Sequence, residues 1–148
     1  MDVLQTLLLG LVAGAIATVL FTAVEYAEMA VTRRPTSLVP GKVFVAMTGG
    51  NPQTDTERAR KWNLPTHLMH GTGLGLVFAA LSLLDLSATL TTVLFYVVLL
   101  GGDWLLYSAL GVTKPAEWSG ADWAREVGLK AVFAFLLGIA FYTLIELF

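Results

Sequence analysis

The chain contains no cysteine. Disulfides, thiolate metal sites, iron–sulfur ligation and a cysteine nucleophile are therefore excluded. Charge is scarce as well: 14% of the residues are Asp, Glu, Lys or Arg, where a soluble domain carries about a quarter. No Gly-x-Ser-x-Gly, phosphate-binding glycine loop or His-Glu-x-x-His occurs, so no reaction is named by a motif. Gly71-x-Gly73-x-Gly75 lies within an apolar stretch with no strand before it, which reads as helix packing and not as a dinucleotide loop. The first apolar stretch, Val3 to Val24, has no basic residue before it and no small-x-small cleavage site. It is expected to stay as a span and not to leave as a signal peptide. Nothing suggests lipidation.

What remains is apolar. The 148 residues are 56% hydrophobic, with a mean hydropathy of +0.73. Four spans of roughly 20 residues would use about 80 residues, leaving one long loop and no room for a soluble domain. The expected fold is all-α: a single transmembrane domain over 1–148, an integral membrane four-helix bundle with spans near 3–26, 65–84, 88–110 and 123–147. The nine Lys and Arg residues set its orientation. Arg33, Arg34, Lys42, Arg58, Arg60 and Lys61 lie between the first two apolar stretches, and Lys114, Arg125 and Lys130 flank the junction of the last two. The termini and the remaining connection carry only Asp2, Asp85 and Glu146. Basic residues of short loops stay cytoplasmic. The pattern predicts both chain ends outside a bacterial or archaeal cell (inner) membrane, with a cytoplasmic loop over 33–62. The four tryptophans, Trp62, Trp104, Trp118 and Trp123, fall at or near the same boundary, where an indole is half wet and half apolar.

Local signals fill in the loop. The first helix is expected to continue to Thr32, until Arg33-Arg34-Pro35 stops it. Ser37 is placed to cap a short helix over 39–47, whose Val39, Val43, Phe44 and Met47 share a face beside Lys42, as in a segment lying on the cytoplasmic membrane surface. Gly49-Gly50-Asn51-Pro52 is a turn. Thr54 with Glu57, and Ser119 with Asp122, have the spacing of capping boxes. Arg58-Ala59-Arg60-Lys61 suits anionic lipid, and nucleic-acid binding has no support.

A tandem repeat underlies the spans. Thr18-Val19-Leu20-Phe21 recurs as Thr92-Val93-Leu94-Phe95, and Gly73-Leu74-x-x-Val77-Phe78-Ala79-x-Leu81 recurs as Gly128-Leu129-x-x-Val132-Phe133-Ala134-x-Leu136. Two matches in the same order suggest two related helical hairpins about an axis along the membrane normal.

The ionisable residues that lipid tolerates poorly collect toward the cytoplasmic side. Glu25 and Glu28 continue a stripe of Gly14, Thr18 and Thr22; His67 and His70 lie one turn apart; Asp103 shares a stripe with Tyr96 and Tyr107; Glu126 and Lys130 are four apart. A carboxylate at the depth of Asp103 costs about 2.5–3.5 kcal/mol unless it is paired, protonated or wet. Three readings follow for it: a clasp to Lys130, His67 or His70; one member of a metal site; or a titrating group serving proton passage. Glu-x-x-Glu and His-x-x-His each put two ligands on one helix face, so Glu25, Glu28, His67, His70 and Asp103 form a candidate divalent-metal set. The Glu-x-x-His word of di-iron bundles is missing. Glu126 and Lys130 read as an i,i+4 ion pair with Lys130 snorkelling to the surface.

The leading expectation is a non-enzymatic membrane protein whose polar cluster binds a metal ion or proton, in a transport or homeostasis role. The alternative is an accessory subunit of a larger membrane complex or a homo-oligomer. A membrane oxidoreductase using iron or haem comes third. The words Thr66-His67-Leu68-Met69-His70-Gly71-x-Gly73-x-Gly75 and Gly10-x-x-Ala13-Gly14-Ala15-x-Ala17-Thr18 resemble the YagU-like group of uncharacterised bacterial inner-membrane proteins. In that group an aromatic residue stands where this chain has His70. The resemblance implies a small multi-span membrane protein and supplies no catalytic residues.

Overall fold

A computed structural model describes residues 2–148, and among them it contains helices and no strand. Helix α1 is Val3–Thr32, α2 Val39–Met47, α3 Thr56–Ser82, α4 Ala88–Ala109 and α5 Gly120–Leu147, with a 3-10 turn at Pro115–Glu117 before α5. Three of these, α1, α4 and α5, are long and apolar enough to cross a membrane. Helix α3 falls outside that set because its charge-free part carries Pro65, His67, His70, Gly71, Gly73 and Gly75, which lower its mean hydropathy.

The helix ends have local causes. Asp2 accepts from the backbone N–H of Gln5 while the Gln5 side chain accepts from that of Asp2, a closed capping box at the start of α1. Its other end turns at Arg33, in the left-handed region with φ 54°, two residues before Pro35. The same box forms between Ser119 and Asp122 at the start of α5. The expected box at Thr54 and Glu57 does not form. Asp55 is the N-cap instead, and its carboxylate accepts from the N–H of Asn51 at 3.2 Å. Nor does a second helix begin at Pro65: α3 runs through it without a break. A proline removes one backbone bond, here to the carbonyl of Lys61. Lys61 is exposed, so water can take that carbonyl.

Small residues set the packing. Gly10 and Gly14 of α1 lie against Gly71 and Gly75 of α3, so closely that a Cβ on Gly75 would stand 2.0 Å from the Gly10 carbonyl oxygen. Helix α2 is held onto α3 in the same manner, Gly41 against the backbone of Ala59. Asn63 fixes it there, accepting from the N–H of Gly41 at 3.0 Å and donating to the carbonyl of Ser37 at 2.9 Å. Phe44 stacks on Trp62, ring centroids 4.3 Å apart, and Val43 packs with Tyr107 and Val112. The apolar side expected to rest on a membrane surface is thus largely taken by the protein itself. Only Met47, 70% exposed, projects freely from that face.

Helix α1 packs against α3 and α5, and α4 against α3 and α5. Between them runs a core of phenylalanines. Phe21 meets Phe133 edge-on at 5.4 Å, and Phe78 meets Phe95 at 5.2 Å and Phe141 at 5.2 Å. The outward faces are apolar and exposed: Val12, Ile16 and Val19 on α1, Val93, Val97 and Leu105 on α4, Phe135 and Ile139 on α5.

Candidate functional site

Where α1, α4 and the starts of α3 and α5 come together, the bundle opens into a cavity of about 780 Å³, lined by all four long helices and α2. Its walls are mostly apolar, with Phe21, Phe44, Trp62, Tyr107 and Phe133 presenting rings. Its ionisable lining is Glu25, His67, His70, Asp103, Tyr107, Glu126 and Lys130.

Asp103 is at the centre of the polar part. Its side chain is 6% exposed, Oδ1 lies 3.1 Å from His70 Nε2, and Oδ2 pairs with the Lys130 ammonium. Lys130 also reaches Glu126 Oε1 at 3.2 Å and stands 5.6 Å over the ring of Tyr107. Its side chain is 13% exposed, so Lys130 does not snorkel as expected. It turns inward, because the buried carboxylate of Asp103 offers a charge partner that the surface does not. Across the cavity, His67 Nε2 lies 3.1 Å from the Thr22 hydroxyl and 3.5 Å from Glu25 Oε2. The Thr22 hydroxyl donates to the carbonyl of Thr18 at 2.7 Å, which leaves its oxygen free to accept from an imidazole N–H.

The expected five-residue metal set is not brought together. Glu25 goes with His67, His70 with Asp103, and Glu28 leaves the cavity. Glu28 is bound by Arg34 at 2.5 Å and by Arg125 at 3.2 Å, riveting the end of α1 to the loop and to α5. Among the described residues no three His, Asp or Glu side chains share a position from which they could hold one ion. The physical reason is competition: Lys130, Arg34 and Arg125 occupy the carboxylates that a metal would need.

Three carboxylates stand against one ammonium in the lining, an excess of two acidic groups beside two imidazoles. Such a site can exchange charge for charge. Sequence reasoning found its titratable members from their depth and missed its walls. Phe44, Trp62 and Phe133 have the spacing of ordinary core and interface aromatics, and nothing local marks them as lining a space. Asn63 was missed also, although it lies one turn before His67 on the same helix face.

No protein-family model, curated protein or solved structure matches the chain.

Proposed function

We propose that this is a four-span integral protein of a bacterial or archaeal cell membrane, both ends outside, which binds a cation at its cytoplasmic-side cavity in exchange for protons. A transport or homeostasis role follows from that exchange. The observation that carries it is the excess of carboxylates over ammonium groups in a cavity set among four helices. An ionised group kept from water without a partner costs several kcal/mol. A proton on the Glu25–His67 pair, or an incoming cation, is the available partner, and the two compete. His67 faces Thr22 and Glu25 from α1, His70 faces Asp103 from α4, and Lys130 with Glu126 from α5 closes the remaining side. Histidine is the side chain suited to giving up a proton near neutral pH.

The fourth span is the second part of α3. From Leu64 to Leu84 the chain has no Asp, Glu, Lys or Arg, and α3 packs along α1 through glycine. The absence of cysteine makes orientation easy to test. A maleimide that cannot cross membranes is expected to label Leu86→Cys in spheroplasts, and Gln53→Cys only after permeabilisation. The reverse pattern would invert the topology.

The hairpins α1–α3 and α4–α5 are read as tandem repeats. In support of that reading, Phe21 meets Phe133 across the hairpins as Phe95 meets Phe78, and Ala79 and Ala134 are both buried. On the same alignment Gly71 and Gly75 correspond to Glu126 and Lys130. Where the first hairpin closes on glycine, the second carries the ion pair, and the cavity opens beside it.

The exchange reading is tested with purified protein in weakly buffered detergent solution at pH 6. A panel of cations (potassium, magnesium, manganese, zinc, choline and tetraphenylphosphonium) is added while pH is recorded. At least one is expected to release protons in excess of protein-free micelles, and Glu25→Gln is expected to reduce that release. A panel with no release overturns the reading.

A further inference from the structure

We propose that the cavity takes an amphiphilic organic cation, a positive centre carrying an apolar, ring-bearing body, and not a bare metal ion. The inference rests on the proton-exchange reading for the charge of the site, and on separate observations for the shape of its occupant.

A bare divalent ion needs several donors converging at about 2–2.5 Å. The described residues offer no such group, and Asp103 is occupied on both oxygens. A space of about 780 Å³ is also far too large for it. That volume lies instead within the range of roughly 300–1,000 Å³ typical of sites for small organic molecules, which are mostly apolar with a few placed polar groups. The walls fit this description. Phe21, Phe44, Trp62, Trp118 and Phe133 line the cavity, and they come from α1, α2, α3, α5 and the turn before α5. Ring faces attract cations, most strongly away from water. The molecule already uses them so: Lys130 stands 5.6 Å over Tyr107 and Arg58 5.7 Å over Phe44.

The charge decides the sign of the ligand. An anion would add to the excess of acidic groups already facing the cavity, and a neutral molecule would leave them uncompensated. A cation placed against Glu25 neutralises one of them, because Glu25 has only the imidazole of His67 and no Lys or Arg beside it within ion-pair distance. The positive centre therefore goes to the Glu25–His67 side, the body against the rings, and a proton held by the Glu25–His67 pair leaves as the cation enters.

The experiment compares tetraphenylphosphonium with tetraphenylborate, which have the same shape and opposite charge. Binding is measured by equilibrium dialysis against the purified protein in detergent, with protein-free micelles subtracted. Tetraphenylphosphonium is expected to bind saturably, more weakly as the pH is lowered, and with proton release. Tetraphenylborate is expected not to bind. Glu25→Gln, which removes charge without disturbing the Asp103–Lys130 pair, is expected to lower phosphonium affinity by about tenfold or more. Equal binding of the two ions, or unchanged affinity in Glu25→Gln, overturns the proposal. Proton release by inorganic cations with no phosphonium binding overturns the ligand class and leaves the exchange reading standing. Phosphonium binding without proton release does the opposite.

Discussion

Asp103→Leu is expected to destabilise the protein by about 3–5 kcal/mol, the usual result of removing one partner from a buried ion pair. The cost arises from what stays behind. Lys130 is 13% exposed, and after the substitution its ammonium retains only Glu126, whose own side chain is 30% exposed and half-turned to solvent. His70 loses its acceptor too, but it can remain neutral and is 39% exposed, so it adds little. Lys130→Leu in the Asp103→Leu background is expected to restore most of the stability, because two apolar side chains replace the buried pair and the one charge left unpaired, Glu126, is 30% exposed. Denaturant unfolding of the purified variants in one detergent measures both numbers. A double variant no more stable than the single one would mean that Asp103 holds the fold by some other contact. The same pair has a functional side. Glu25 makes its contact with His67 and no ion pair with Lys130, so the double variant is expected to fold and still to retain the Glu25–His67 side of the cavity.

The helices were legible in the sequence where one local signal decided them. The stop of α1 before Pro35, the extent of the short helix Val39–Met47 and the cap of α5 at Ser119 lie where residue chemistry placed them, although the N-cap of α2 is Leu38, without a side-chain cap bond, and not Ser37. The start of α3 was not legible, because Pro65 argues for a break on local grounds while packing against α1 and α2 argues for continuity. Packing prevails, and the lost bond falls where water can replace it. The inward turn of Lys130 was hidden for a similar reason. On its own helix it has Glu126 four residues back and a short route to solvent. Only the fold brings Asp103, 27 positions away, into contact. The titratable residues could be picked out singly, since lipid leaves few reasons to keep them. Their sorting into Glu25–His67 and His70–Asp103–Lys130–Glu126 is a property of four helices together, and no spacing along the chain encodes it. The aromatic wall was the least legible part, because a ring facing a cavity and a ring facing the core have the same periodicity.

Gly75→Ala is expected to destabilise by about 3 kcal/mol or more, at the upper end of overpacking costs, whereas Gly73→Ala two residues away should change stability by less than about 1 kcal/mol. A Cβ at Gly75 would meet the Gly10 carbonyl oxygen at 2.0 Å and the Gly14 Cα at 2.9 Å. Both are helix backbone, so neither can rotate aside, and α1 and α3 must move apart. A Cβ at Gly73 meets nothing within 4 Å, and alanine there gains helix propensity. In lipid the difference matters more than in water, since helices associate by close packing and gain little from hydrophobic burial against each other. Thermal unfolding of the two variants in the same micelles reads the contrast, and similar values would remove glycine packing as the basis of the α1–α3 contact. The separation also has a consequence for the cavity. Glu25 and Thr22 belong to α1 and His67 to α3, and the 3.5 Å and 3.1 Å approaches between them depend on how closely those helices lie. Gly75→Ala is therefore expected to weaken cation-linked proton release in whatever fraction remains folded, while Gly73→Ala leaves it intact. A glycine far from any charge thus sets the distance on which the exchange depends.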